Sequence, residues 1–209
     1  LGQEDVFAGG YCGSLADCQL RLNDKNKARM AFASAAKMTF DKDIQEDALF
    51  NSALLTYELG YSPFNEAVQA LNDYLSLYPN SKRSDEANNY LVMAYLNAKN
   101  YSLALASIDK IRDKNGEMKK AYQKIAYFRG LELFSNGNYK DAIDMLTVST
   151  RYGMPDARLY ALSLYWKGEA AYRQGDFRQA MEQYNGFISQ TGVSKYSEYI
   201  PALYNLGYC

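Results

Sequence analysis

Side chains able to do covalent or metal chemistry are scarce in this chain, and their spacing does not suit it. The 209 residues include no histidine, which removes the commonest general base and the commonest metal ligand together. Three cysteines, Cys12, Cys18 and Cys209, leave no Cys/His set for zinc. Cys12 and Cys18 fall on one expected helix, rotated by about 240° and about 9 Å apart along its axis. A disulfide cannot bridge that separation, so they read as small apolar residues. Asp43, Glu46 and Asp47 lack the alternating acidic ligands, central glycine and distal glutamate of a calcium loop; they read as an acidic helix start, favoured by the helix dipole. Gly9, Gly10 and Gly13 are too loosely spaced for a dinucleotide fingerprint, and no serine stands in a nucleophile elbow. The expectation is a non-enzymatic chain with no catalytic residue, no metal and no cofactor.

Charge excludes a second class of function. Net charge is −1, so no overall basic field exists to condense a nucleic acid backbone. The densest basic run holds Lys110, Arg112, Lys114, Lys119 and Lys120, but Asp113 and Glu117 interrupt it around Asn115-Gly116; it reads as a solvated loop between helices. No run of about 18 apolar residues is present, so nothing is expected to span a membrane. The first residues, Leu-Gly-Gln-Glu-Asp-Val-Phe, lack the basic start and apolar stretch of a signal peptide.

What remains is recognition, and the elements that would position its residues are repeated helices. Ala28, Ala67, Ala104, Ala142 and Ala180 recur at intervals of 39, 37, 38 and 38 residues, a period that marks an array of helical hairpins. Each follows a polar or glycine-containing turn: Asn-Lys-Ala at 26–28, Asn-Glu-Ala at 65–67, Ser-Leu-Ala at 102–104, Lys-Asp-Ala at 140–142 and Arg-Gln-Ala at 178–180. A second column of small residues runs Ala16, Ala53, Val92, Gly130 and Gly168, with Gly207 a further 39 on. Between the columns sit turns such as Ser-Asn-Gly-Asn-Tyr at 135–139 and Arg-Gln-Gly-Asp-Phe at 173–177, whose glycine can supply a left-handed backbone. The turn at 58–64 is two residues longer and is expected to bulge. Apolar residues make up 48% of the chain, enough for a continuous core.

Small residue, turn glycine, turn aromatic, alanine and then a large apolar residue four further on (Phe32, Leu71, Ile108, Leu146, Tyr184) resemble the tetratricopeptide (TPR) repeat. Pro79 closes the second repeat where that family often places a proline. The period exceeds the usual ~34 residues, which implies longer helices or links. The run Tyr-Pro-Asn-Ser-Lys-Arg-Ser-Asp-Glu-Ala at 78–87 is similar to bacterial envelope modules of the BamD and CpoB kind, and Phe-Arg-Gly-Leu-Glu-Leu-Phe-Ser-Asn-Gly-Asn-Tyr at 128–139 to large periplasmic TPR proteins of Bacteroidetes. The resemblance implies an all-α, right-handed α-solenoid of about five helix-turn-helix repeats plus the first helix of a sixth. Its expected units are approximately 6–40, 44–80, 84–114, 118–154, 156–192 and 197–209, forming one array. The stretch Tyr204–Cys209 reads as the start of an interrupted repeat, hence a piece of a longer chain able to self-associate there. By the same resemblance the compartment is the periplasm or cell envelope, with the cytoplasm the alternative.

In TPR arrays the first helices line the concave face. Positions three before and one, four and five after the small column share one side of those helices. The candidates there are Phe50 and Tyr57, Asn89 and Asn97, Tyr127 and Phe134, and Tyr165, Glu169, Tyr172 and Arg173. Tyrosine and phenylalanine join large contact area to few rotatable bonds, which suits recognition; packing between helices is the competing use of the same rings. A carboxylate clamp for chaperone tails would need lysine three before the column and asparagine one after it. The residues there are Gly13, Phe50, Asn89, Tyr127 and Tyr165, then Asp17, Leu54, Met93, Leu131 and Glu169, so that clamp is absent. The expected function is a scaffold that holds a protein or peptide segment in the groove, in envelope assembly. The alternative is a module binding glycan or peptidoglycan fragments on its aromatic faces.

Overall fold

The computed structural model describes residues 2–38, 41–60, 66–151 and 155–209, with side chains from residue 11 onward. All its regular elements are helical. In chain order they are α1 (Gly2–Arg21), α2 (Lys25–Ala35), α3 (Lys42–Leu59), α4 (Glu66–Leu77), α5 (Ser84–Asn97), α6 (Tyr101–Lys110), α7 (Gly116–Ser135), α8 (Tyr139–Arg151), α9 (Ala157–Gln174), α10 (Phe177–Ile188), a 3-10 turn at Val193–Lys195, and α11 (Tyr199–Leu206). This is the all-α, TPR-like solenoid class. The length beyond ~34 residues per repeat lies in the first helices of three repeats, α3, α7 and α9, with 18, 20 and 18 residues against 10 to 13 in α6, α8 and α10; α5 has only 14. The longer turn at residues 61–65 falls outside the described residues.

Helix starts follow local side-chain chemistry. Asp24, Asp41, Asn115, Asp156 and Asp176 each accept a hydrogen bond from a backbone N–H in the first turn that follows, satisfying donors the helix itself leaves unpaired. Asn115 is thus a helix start, and the mixed-charge run around it is a link plus the exposed beginning of α7. Each hairpin turn uses one residue in the left-handed region: Asn23, Gly60, Lys99, Gly137 and Gly175, with φ of 59°, 60°, 56°, 78° and 79°. That column keeps the 37 to 39 residue period although two of its members carry side chains.

The chain forms two compact units, residues 1–98 with 109–112, and residues 99–108 with 113–209. In the first, Ala16, Ala28, Phe32, Ala35, Ala48 and Leu55 make the core between α1, α2 and α3. Tyr74 of α4 is fully buried, and its hydroxyl meets Glu46 Oε1 at 3.0 Å, where Ser81 Oγ also donates. In the second, α9 packs against α8 and α10 and touches α7. Gly130 and Gly168 allow the closest approaches: a Cβ there would lie 2.7 Å from Leu146 Cγ and 2.8 Å from Tyr184 Cδ1, respectively. Fully buried Gln123 holds the start of α9, accepting from Asp156 N at 2.9 Å and donating to Asp156 O at 3.1 Å.

Candidate functional site on the first helices

The small column faces the second helix of its own hairpin, where Gly130 approaches Leu146 and Gly168 approaches Tyr184. At about 100° per residue, the place three before the column lies about 60° from it, and the place five after lies about 140° away. Phe50, Tyr127 and Tyr165, at the former place, are core residues with 3%, 6% and 7% exposure. Phe50 sits edge-on to Tyr74, with centroids 5.3 Å apart; Arg83 covers its ring at 4.9 Å while pairing with Asp47 at 2.6 Å. Tyr127 clusters with Leu146 and Leu162. Burial pushes its hydroxyl pKa up to about 12, against a hydrogen bond from Trp166 that lowers it. Tyr165 packs on Tyr184 at 6.1 Å and Phe187 at 5.5 Å, and burial raises its pKa and that of Tyr184 still further. These three rings build the hairpin cores and offer little surface to a guest. Asn89 is half-buried, and its Oδ1 has no hydrogen-bond partner among the described residues.

Glu169, one after the column, is also buried, at 8% exposure. Its Oε1 accepts from Tyr184 Oη at 2.7 Å and from Asn205 Nδ2 of α11 at 2.6 Å, so it ties three helices together rather than facing a ligand. The aromatics four after the column, Tyr57, Phe134 and Tyr172, are half-buried. Phe134 contacts Tyr139 at 5.3 Å, and Tyr172 contacts Phe177 at 5.5 Å, each ring meeting the aromatic that follows its own turn. Asn97 and Arg173, five after the column, are exposed, as are Arg21, Glu58 and Ser135 at the same place.

A further column escaped the sequence reading. Tyr90, Phe128 and Trp166 stand two before the small residue at intervals of 38, and each meets a ring from the preceding repeat. Tyr57 and Tyr90 are 5.2 Å apart, Phe134 and Trp166 5.0 Å, and Tyr101 stacks on Phe128 at 5.5 Å with planes 14° apart. These half-buried rings form a ladder within each unit: Tyr57–Tyr90 and Phe134–Trp166 join successive first helices, and Tyr101–Phe128 joins α6 to α7. Their equal spacing was the signal that could have found them. Each ladder is edged by exposed side chains: Glu58, Met93 and Asn97 in the first unit, Ser135 and Arg173 in the second. Such an edge offers hydrogen bonds, a charge and ring edges, and no reacting group. Among the described residues no three His, Cys, Asp or Glu side chains are placed to hold a metal ion, and no helix is long and apolar enough to cross a membrane.

Comparison with known proteins agrees with the helical-repeat fold. Residues 42–139 match the family described as outer membrane lipoprotein, YfiO, and residues 127–192 match the tetratricopeptide repeat. No curated protein matches the chain significantly. Among solved structures, a crystal structure of MamA protein is 17% identical, covering 91% of this chain and 96% of that one with a TM-score of 0.51. A MamA RS-1 double mutant is 16% identical, covering 91% of this chain and 98% of that one with a TM-score of 0.50. At such identity the likeness is one of fold.

Proposed function

We propose that this chain, a TPR protein resembling BamD-like envelope modules, is a non-catalytic scaffold that holds a segment of a protein partner along its first helices. The observation that carries the reading is the ladder of half-buried rings with an exposed polar edge, repeated in both units without any group suited to chemistry. Rings held in place by neighbouring rings lose little freedom when a partner covers them, which favours affinity per contact. Within the candidate set, Tyr57, Phe134 and Tyr172 supply contact area, and Asn97 and Arg173 set register by hydrogen bonds and charge. Phe50, Tyr127, Tyr165 and Glu169 hold the helices that present them, with Asn89 between the two roles. The match to an outer membrane lipoprotein family supports a place in the cell envelope.

The test uses substitutions that spare the hairpin cores. Tyr172→Ala combined with Arg173→Ala, and separately Tyr57→Ala, are compared with Lys140→Ala on the second-helix side in capture from envelope extract. The captured protein is identified by mass spectrometry. Loss of a central aromatic anchor costs about 2 kcal/mol or more, so at least one inner-side variant should bind about 30-fold more weakly while Lys140→Ala binds as the parent does. Equal capture by all three, with helical circular dichroism unchanged, would move the site elsewhere.

A further inference from the structure

The repeats are similar enough that a missing ring stands out. In the second unit Tyr127 occupies a seat made by Leu146 of α8 and by Leu159 and Leu162 of α9. Counted from the small columns, the same seat in the first unit is formed by Phe32 of α2 and by Ile44 and Asp47 of α3, and the residue in the place of Tyr127 is Gly13. A Cβ on Gly13 would meet nothing within 4 Å among the described residues. The space survives as a cleft of about 370 Å³ walled by Gly13, Phe32, Ile44 and Ala48, with Asp43 and Asp47 also lining it. That volume is within the range of ligand pockets.

Charge distinguishes the two seats. In the second unit Arg158 borders the cluster, its guanidinium 5.5 Å over the ring of Tyr196. The place of Arg158 is taken in the first unit by Asp43, and that of Leu162 by Asp47. Both carboxylates are exposed; Asp43 has no ion-pair partner among the described residues, while Asp47 pairs with the half-exposed Arg83 through Oδ1 and accepts from Asn51 Nδ2 through Oδ2. We infer that this cleft receives an aromatic side chain of the partner, flanked by lysine or arginine that pairs with Asp43 in the acidic mouth it forms with Asp47. The partner segment is therefore basic and carries a ring. Burying that ring against Phe32 and Ile44 supplies the apolar contribution, and the acidic mouth rejects a segment of the opposite sign. The inference rests on the scaffold reading and names the chemistry of its occupant.

The probe is the capped peptide acetyl-Gly-Lys-Phe-Lys-Gly-amide, titrated into the isotope-labelled chain and followed by amide chemical shifts. Saturable shifts are expected at Gly13–Ser14 and Asp43–Ala48, and the peptide with glutamate for lysine should bind at least about tenfold more weakly. Gly13→Phe should fill the seat and abolish the shifts without lowering Tm. Asp43→Lys, on the exposed rim, should reverse the preference between the two peptides. Equal binding of both peptides, shifts elsewhere only, or binding undiminished in both variants overturns the inference. Absence of peptide binding alongside partner capture that Tyr172→Ala and Arg173→Ala still weaken refutes the cleft alone; loss of that capture dependence refutes the scaffold reading itself.

Discussion

Two helical glycines should respond to the same substitution with opposite sign. Gly186 lies in α10, where an added Cβ would sit 3.6 Å from Leu164 Cδ1, an ordinary contact. Gly168 lies in α9, where it would sit 2.8 Å from Tyr184 Cδ1 and Cε1 and 3.2 Å from Cγ. Carbon pairs prefer about 3.5–4.0 Å, so the ring would have to retreat by roughly 0.7 Å or more. It has nowhere to go: Tyr184 is fully buried, and its hydroxyl is held by Glu169 at 2.7 Å and Asn205 at 3.1 Å. Both variants gain up to about 1 kcal/mol from helix propensity, while overpacking costs Gly168→Ala about 1–3 kcal/mol. The propensity gain cancels in the comparison. Gly186→Ala should therefore be more stable than Gly168→Ala by about 1–3 kcal/mol, a separation of about 2–12 °C in melting temperature for a chain of this size. Thermal melts followed by circular dichroism measure it. If Gly168→Ala melts as high as Gly186→Ala, the hairpin contact drawn through Gly168 is wrong.

Gly137, with φ of 78° and open space around it, should lose about 1 kcal/mol on replacement by alanine, and urea midpoints for Gly137→Ala check this. Alkali should unfold the protein: below about pH 10 the tyrosines are protonated in both states, but above it the unfolded chain releases protons that folded Tyr127 keeps until about 12. Stability must then fall as pH rises through that window, a slope that Tyr127→Phe should flatten in pH-dependent denaturation. Asn205→Ala removes the 2.6 Å donor to buried Glu169, costing about 1–3 kcal/mol, and hydrogen exchange should quicken across Tyr199–Leu206 more than in α7.

The helices and the contact columns were legible because the same physical constraint recurs five times. Ala104, Ala142, Ala180, Gly130 and Gly168 are all buried, while Ala67 of the same alanine column is half-buried. The left-handed turn was readable at Gly137 and Gly175, but not at Asn23 or Lys99, where no glycine marks it. The inner side was read less well, because helix α9 packs against three others, α7, α8 and α10, and those neighbours enclose Tyr165 while Arg173 stays open. The ladder through Tyr90, Phe128 and Trp166 needed only one more column to be seen. The Gly13 seat could not be read from sequence, because an absent side chain acquires meaning only once its counterpart Tyr127 is known to fill a space.

The order in which these helices pack also bears on how quickly the protein can form. Packing in the first unit joins sequence neighbours, α1 to α2, α2 to α3, α3 to α4 and α4 to α5, and the longer reaches, α1 to α3 and α3 to α5, skip a single helix; α7 to α9 does the same in the second. Each closure thus spans one hairpin, and chain entropy is lost in small steps, each repaid at once by burial. Chains dominated by such near contacts refold in microseconds to milliseconds, and nucleation can begin in more than one repeat. A stretch emerging from the ribosome can accordingly bury its own apolar face as soon as the next helix follows, well before the last residues are synthesised.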